Sequence, residues 1–172
     1  AKRKGDYFVA IGRLIPYKKF DLTVEVFNKL GLPLKIIGTG IEEEKLKKMA
    51  KKNIEFLGRI EDNKAAEIIS KAKALIFPQL EDFGITPLEA MACGVPVIAY
   101  KKGGATETVT PKTGVFFKEQ TVKSLEKAVK EFLKKRFSPK EIRKHASKFS
   151  PSVFDKKLIK FIEDKWETFN HK

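Results

Sequence analysis

Two glutamates eight positions apart, Glu81 and Glu89, lie where an apolar run ends and a short helix begins. The apolar run ends at Pro78 and the helix ends at Gly94. This arrangement places two carboxylates and a row of backbone N–H groups at one strand-to-helix junction. Open α/β sheets bind ligands at such junctions, at the carboxyl ends of their strands. We therefore predict a ligand site here, and the other polar residues of the chain indicate its chemistry.

The first predicted strand is followed by residues suited to binding an anion. Gly12 lies at the strand end, where the lack of a side chain lets the backbone approach a ligand closely. Arg13 and Lys18 follow it and can donate charge-assisted hydrogen bonds to phosphate oxygens. By themselves, these two cations are better explained as surface residues near a turn. The segment 83–85 adds a helix N-terminus, whose unpaired N–H groups and positive dipole end attract anions.

The familiar phosphate and metal signatures are missing from this sequence. Residues 38–40 read Gly-Thr-Gly like the start of a dinucleotide fingerprint, but Glu43 stands where the third glycine belongs. No P-loop ending in Gly-Lys-Ser/Thr occurs, and no two aspartates lie two positions apart. His145 and His171 lie in the lysine-rich tail, and no carboxylate stands at a spacing that would indicate a catalytic base or a ligand site. We therefore interpret both as surface residues. The sequence thus predicts an anion site without a metal.

Short apolar runs alternate with helical patterns through most of the chain. Several runs are apolar at every position, as in 74–77 and 95–99, which is typical of parallel strands covered on both faces. Alternating βαβ units predict an α/β fold, a doubly wound, Rossmann-like parallel sheet of about six strands with helices on both faces. The predicted strands are Tyr7–Gly12, Leu34–Gly38, Ile54–Gly58, Ala74–Pro78, Val95–Tyr100 and Gly114–Phe117.

Capping residues mark the ends of several predicted helices. Asp21 is suited to cap a helix that Gly31 ends. Glu42–Glu44 fall in the first turn of the next helix, where negative charge suits the macrodipole. Residues 86–89 read Thr-Pro-Leu-Glu, a capping box with proline at its first helical position. This pattern gives Glu89 a structural role, which need not exclude ligand binding.

Residues 121–172 are predicted to form a helical tail of the same domain. Residues 138–141 read Ser-Pro-Lys-Glu, a second capping box with proline at its first helical position. Ser150 and Pro151 begin a last helix. One side of that helix is predicted to be apolar, and it carries Val153, Phe154, Leu158, Phe161 and Ile162.

Length and composition indicate one globular domain. The 172 residues are enough to bury a core, and 42% of them are hydrophobic. No apolar run approaches the roughly 20 residues of a membrane-spanning helix. The abrupt, charged start without a signal peptide leads us to expect a piece of a longer protein. The single cysteine, Cys93, excludes an internal disulfide and fits a reducing compartment.

The formal net charge of +14 raises the question of a nucleic-acid partner. The excess is mostly lysine, interspersed with glutamate along helix faces, and only five arginines are present. Arginine is the residue that specific phosphate and base recognition favours. A solvated Lys/Glu surface therefore explains the charge better than nucleic-acid binding does. Attraction to an anionic lipid surface or an anionic substrate stays open.

Five motifs occur in an order that points to one family. They are Gly12-Arg13-Leu14 with Lys18, Phe56-Leu57-Gly58, the Glu81-to-Glu89 interval with Phe83-Gly84, the run from Glu89 to Ala99, and Gly103-Gly104 with Glu107. From about Tyr7 to Phe117 the chain closely resembles the C-terminal donor-binding domain of retaining glycosyltransferases of family 4, which have the GT-B fold. Asp82 stands where the family often has glycine, so the backbone at that turn is expected to differ.

The resemblance implies a role for each matching residue. Arg13 and Lys18 would bind the diphosphate of a nucleotide-sugar donor. Glu81 would contact the transferred sugar, and Glu89 would accept hydrogen bonds from the ribose. The implied catalytic residues are Glu81, Arg13 and Lys18, and the implied substrate-binding residues are Gly12, Gly58, Arg59, Ile60, Phe83, Gly84, Ile85 and Glu89.

The resemblance also implies a reaction. Residues 1–172 would be one donor-binding domain, and the acceptor-binding N-terminal domain would be absent, so this chain alone would transfer nothing. The enzyme would transfer a hexosyl group with retention of configuration to a glycan or lipid-linked acceptor, without a metal or other cofactor. The sequence looks most like mannosyltransferases of cell-surface polysaccharide assembly, which implies GDP-mannose as the donor. The expected location is cytoplasmic, with peripheral contact at the inner face of the membrane as an option.

Two other functions remain as alternatives to the glycosyltransferase. A GT-B-like sugar-nucleotide epimerase would use a similar site without an acceptor. A lysine-rich module that binds nucleic acid would instead use the helix faces, and its binding would depend strongly on salt.

Overall fold

The computed structural model describes residues 5–170 and contains a 6-stranded sheet in which every pair of neighbouring strands is parallel. Each predicted strand is present, most of them slightly shorter than expected, so the predicted fold class is confirmed. The strands are β1 (Phe8–Ile11), β2 (Leu34–Ile37), β3 (Ile54–Phe56), β4 (Leu75–Phe77), β5 (Val97–Tyr100) and β6 (Gly114–Phe117).

The order of the strands determines where a ligand can bind. They lie in the order β3-β2-β1-β4-β5-β6, so the chain winds outward from β1 in one direction and then outward from β4 in the other. The loops that leave β1 and β4 therefore diverge at the carboxyl edge and leave a crevice between them. Crevices at such switch points are the usual ligand sites of doubly wound sheets.

Helices cover both faces of the sheet. One buried cluster joins the sheet to the first and sixth helices, and a second cluster joins its other face to the third, fourth and seventh. The helices are α1 (Phe20–Leu30), α2 (Glu43–Met49), α3 (Asp62–Lys71), α4 (Ile85–Ala92), α5 (Ala105–Thr108), α6 (Val122–Leu133), α7 (Pro139–Ala146) and α8 (Pro151–Asn170).

A cluster of aromatic rings anchors the start of the helical tail. Phe8 of β1 is fully buried, and its ring packs edge-to-face with that of Phe27, with centroids 5.2 Å apart. On its other side Phe8 contacts Phe132 of α6 in the same geometry, at 5.8 Å. Edge-to-face pairs of this kind add about 0.5–1.5 kcal/mol each to the burial of the rings. Helix α6 is therefore part of the same core as the sheet.

Two of the predicted helix caps are wrong. Asp21 lies inside the first turn of α1, and the N-cap is Lys19 in a left-handed conformation. Thr86 is likewise inside α4, whose N-cap is Gly84 with φ of +80°, so residues 86–89 do not form a capping box. The predicted cap at Ser138 is confirmed, because its hydroxyl accepts from the N–H of Glu141 at 3.4 Å.

The last helix exposes its apolar side chains to solvent. Helix α8 begins at Pro151, as predicted, but Phe154, Leu158, Phe161 and Ile162 are exposed rather than packed. Its acidic and basic residues are interspersed with them. Within residues 5–170, no helix has both the length and the apolar character that crossing a membrane requires.

Replacing Lys19 by Gly should raise the free energy of unfolding by about 1 kcal/mol, because a side chain in the left-handed region costs roughly this much. Lys19 has φ of +56° and is the one non-glycine residue with positive φ in the described segment. Urea denaturation measures the change. Lys48→Gly is the matched control, since Lys48 lies in the last turn of α2 and the same substitution there should destabilise. Equal losses in both variants would contradict the strain at Lys19.

Candidate active site at the carboxyl edge of the sheet

An ion pair joins the two loops at the switch point. The ammonium of Lys18, which follows β1, binds a carboxylate oxygen of Glu81, which follows β4. The two side chains are only 15% and 25% exposed, so this pair is less screened by solvent than a surface pair. The structure thus brings together two of the predicted catalytic residues, and it does so across the crevice.

Glycines bring the ends of the first three strands close together. The N–H of Gly12 donates to the carbonyl oxygen of Ile37 at 3.0 Å, and the N–H of Gly38 donates to the carbonyl oxygen of Gly58 at 2.8 Å. A Cβ atom on Gly38 would overlap the carbonyl oxygen of Gly12. A side chain at Gly38 would therefore push the ends of β1 and β2 apart and alter the floor of the site.

A cleft of about 570 Å³ opens above these glycines. It brings together four of the predicted site residues, namely Gly12, Arg13, Arg59 and Ile60. Both arginines are exposed, so their guanidinium groups are available to an anionic ligand. The loop from Gly12 to Lys18 connects this cleft to the ion pair between Lys18 and Glu81.

Sequence reasoning missed six residues that line the same cleft, namely Ile11, Ile37, Gly38, Thr39, Gly40 and Asp62. Residues 38–40 form the Gly-Thr-Gly segment that failed as a dinucleotide fingerprint. Their position at the end of a predicted strand could have identified them, because all parallel strands of the sheet end at the same edge. Asp62 begins α3, where a carboxylate also suits the helix dipole.

The N-terminus of α4 follows directly after Glu81 and Asp82. Its cap, Gly84, needs the positive φ that only glycine adopts without strain. The N–H groups of Ile85 and Thr86 have no acceptor one turn earlier, so they remain available together with the positive end of the helix dipole. Phe83 and Ile85 are exposed beside them. This segment offers N–H donors and apolar surface next to the ion pair.

Glu89 lies on α4 with an exposed side chain. In the absence of the capping box, its carboxylate makes no hydrogen bond with any residue among 5–170. The structural role expected from the sequence is therefore removed, and Glu89 remains free to accept hydrogen bonds from a ligand.

Cys93 and His145 do not belong to the site. Partial burial raises the pKa of the Cys93 thiol, and the carboxylate of Glu89 raises it further against a lowering by Arg143. A raised pKa makes a poor nucleophile. His145 is half-buried rather than a surface residue, and its Nε2 lies 2.8 Å from the carbonyl of Thr108. His171 lies outside the described residues, and no cluster of metal-ligating side chains occurs among those described.

Residues 1–149 match the profile of the family described as Glycosyl transferases group 1. The chain belongs to this family. The match runs through every loop at the carboxyl edge of the sheet, including both members of the Lys18–Glu81 pair. The family resemblance inferred from the five motifs is thereby confirmed.

Curated relatives of this group 1 chain include mannosyltransferases. Over 137 residues it is 35% identical to the GDP-mannose-dependent monoacylated alpha-(1-6)-phosphatidylinositol monomannoside mannosyltransferase of Corynebacterium glutamicum, covering 70% of this chain and 36% of that protein. It is 34% identical over 110 residues to the alpha-1,3/1,6-mannosyltransferase ALG2 of Rhizomucor pusillus, covering 60% and 24%. The chain thus spans well under half the length of these relatives.

Solved structures confirm the fold. Sucrose-phosphate synthase from Thermosynechococcus elongatus superposes with a TM-score of 0.81 at 23% identity, covering 95% of this chain and 46% of that one. Anabaena HepE in complex with UDP and glucose gives 0.76 at 18% identity, covering 94% and 49%. At these identities the likeness establishes a shared GT-B architecture and leaves the roles of individual residues as predictions.

Proposed function

We propose that this chain is the donor-binding half of a retaining mannosyltransferase that uses GDP-mannose. The observation that carries the proposal is the Lys18–Glu81 pair, which places a cation and a carboxylate together in the switch-point crevice, directly before the N-terminus of α4. A nucleotide-sugar needs both kinds of group, because its diphosphate is anionic and its sugar carries hydroxyl donors.

The cations supply the chemistry of the leaving group. When the bond between the anomeric carbon and the diphosphate breaks, its electron pair remains on the phosphate oxygen. Arg13, Lys18 and the N–H groups at the start of α4 would stabilise that charge by preorganised electrostatics, without a metal or other cofactor. The acceptor hydroxyl would attack on the face that the diphosphate leaves, which retains the configuration. Its proton would pass to the departing phosphate oxygen.

The remaining predicted residues would hold the rest of the donor. Glu81 would accept hydrogen bonds from the sugar hydroxyls while the ion pair with Lys18 holds its carboxylate in place. Glu89, which is exposed and free of the expected cap, would accept from the ribose hydroxyls. The cleft lined by Arg59 and Ile60, next to Gly58, would receive the base.

The relatives favour GDP-mannose as the donor. The mannosyltransferases of Corynebacterium glutamicum and Mycobacterium tuberculosis are described as GDP-mannose-dependent, and both are more than 30% identical to this chain. The acceptor, glycan or lipid-linked, would bind to a further domain of the longer protein. The complete enzyme would work in the cytoplasm, with a peripheral contact at the inner face of the membrane as one arrangement.

Calorimetric titration with GDP, UDP and ADP tests this proposal. We expect GDP to bind most tightly and guanosine, which lacks the diphosphate, to bind at least about 100-fold more weakly than GDP because the charge-assisted contacts are lost. Absence of binding by all three nucleotides, in a sample shown to be folded, would refute the proposal.

The same material separates the two alternatives. A nucleic-acid module would bind oligonucleotides in a salt-dependent way, and that binding would survive Glu81→Ala and Arg13→Ala. An epimerase would bind GDP as the proposed transferase does. It would be recognised by interconversion of the nucleotide-sugar by the longer protein without an acceptor.

A further inference from the structure

The turn after β5 packs directly against the loop that carries Glu81. The N–H of Gly104 donates to the carbonyl oxygen of Glu81 at 2.9 Å. A Cβ atom on Gly104 would overlap the backbone of Asp82 and Phe83, and one on Gly103 would overlap the carbonyl of Glu81. The two backbones are therefore in contact without any side chain between them.

Gly104 is required by this contact and not by its own conformation. Its φ of −59° and ψ of −21° are helical angles, which any residue adopts. Alanine at this position would carry no backbone strain, and the atoms nearest to its methyl group would be those of the loop 82–83. Gly103 differs, because its φ of +64° favours glycine irrespective of the contact.

The turn itself is firmly held. The hydroxyl of Thr106 donates to the carbonyl of Gly103 at 2.8 Å, and the hydroxyl of Thr108 donates to that of Gly104 at 3.2 Å. Ala105 and Thr108 of α5 are buried. A methyl group on Gly104 would therefore displace the Glu81 loop more readily than it would displace the turn.

A second contact holds the strand end that leads into Glu81. The carboxamide of Gln120, which follows β6, donates to the carbonyl of Pro78 at 2.8 Å. Pro78 comes directly after β4 and three residues before Glu81. The segment from Pro78 to Phe83 is thus fixed by loops that follow both β5 and β6.

We propose that Gly104 and Gln120 are positioning residues for the donor sugar. They fix the backbone on either side of Glu81, and this directs its carboxylate to the sugar hydroxyls and to Lys18. Neither residue touches the donor in this arrangement. The inference rests on the proposed function, because it assumes that Glu81 binds the sugar of the nucleotide-sugar.

The test compares two ligands, GDP-mannose and GDP, by calorimetry on this chain. In Gly104→Ala the ratio of the dissociation constant for GDP-mannose to that for GDP should rise about tenfold, because the sugar loses charge-assisted hydrogen bonds to Glu81. Gln120→Ala should raise the same ratio by a smaller factor. Once Glu81→Ala has removed the carboxylate, adding Gly104→Ala should change the ratio no further.

Gly31→Ala is the matched control. Gly31 has φ of +66° and no atom within 4 Å of an added Cβ, so alanine there strains the backbone at the opposite edge of the sheet without touching the site. Its ratio should equal that of the unchanged chain. A general loss of stability would instead lower the affinity for both ligands together and leave the ratio alone.

The outcomes distinguish this inference from the proposed function. If the unchanged chain binds neither ligand, the proposed function is wrong and the inference with it. If it binds both but Gly104→Ala and Gln120→Ala leave the ratio at the control value, the function stands and the positioning role is overturned. If Gly104→Ala does not fold, the positioning role is tested by Gln120→Ala alone, with the same ratio of the dissociation constants for GDP-mannose and GDP.

Discussion

Replacing Lys18 by Met should weaken the binding of GDP to this chain by about 100-fold, since charge-assisted hydrogen bonds to phosphate contribute roughly 1.5–3 kcal/mol. Two effects act together. The ammonium that would contact the diphosphate is lost, and the carboxylate of Glu81 is left without its counter-ion and repels the anionic ligand. Calorimetric titration measures the affinity, and guanosine should bind equally to both chains.

Lys29→Met is the control for this loss of charge. The ammonium of Lys29 also binds a glutamate, Glu126, at 2.6 Å, but it lies on the outer surface between α1 and α6. Both variants lower the net charge of +14 by one, so any long-range effect on an anionic ligand is matched. Equal affinities for GDP in the two variants would show that Lys18 acts only through its charge at a distance, and a direct contact with the diphosphate would be excluded.

Replacing Gly38 by Ala should lower the free energy of unfolding by about 4 kcal/mol, which combines the strain of an unfavourable φ with overpacking against backbone. Its φ is +129°, and an added Cβ would overlap the carbonyl oxygen of Gly12. The strand ends of β1 and β2 would have to separate. We therefore expect a large fall in the midpoint of urea denaturation with an unchanged slope.

Gly31→Ala shows how much of that loss comes from the dihedral angle alone. Gly31 also has a positive φ, but nothing lies within 4 Å of an added Cβ, so this variant should lose only about 1 kcal/mol. The difference between the two variants measures the contact of Gly38 with Gly12. A loss at Gly38 no larger than that at Gly31 would mean that the strand ends are not held as the structure shows.

The sheet was predictable because its strands are buried on both faces. Runs such as 74–77 and 95–99 are apolar throughout, and parallel strands covered by helices require this composition. The helices between them then specify a doubly wound sheet, and the structure confirms each of the predicted strands. The order of the strands did not follow from composition, since it depends on which crossovers pack on which face.

The helix starts show where local patterns mislead. Asp21 and Thr86 are both good capping residues, yet both lie inside helices that begin one residue earlier. In each case the residue before the helix, Lys19 or Gly84, adopts a left-handed conformation that turns the chain into the helix. That conformation is set by the loop between strand and helix, and the side chain that follows does not reveal it.

The site was only partly predictable for a related reason. The residues that carry charge, such as Arg13, Lys18 and Glu81, are recognisable from their types and from the family motifs. Gly38 and Gly104 act instead through the absence of a side chain at a contact with a distant backbone. Contacts of this kind depend on strand order, which brings loops from separate strands to one edge.

Labelling only the glycines with ¹⁵N and following their amide signals during titration with GDP-mannose tests the central claim most directly. Glycines that follow strands lie at the carboxyl edge, and those that precede or begin strands lie at the amino edge. We predict saturable shifts for Gly12, Gly38, Gly84 and Gly104, and unmoved signals for Gly31, Gly94 and Gly114. Shifts confined to the second group, or no shift at millimolar ligand, would contradict a donor site in the switch-point crevice.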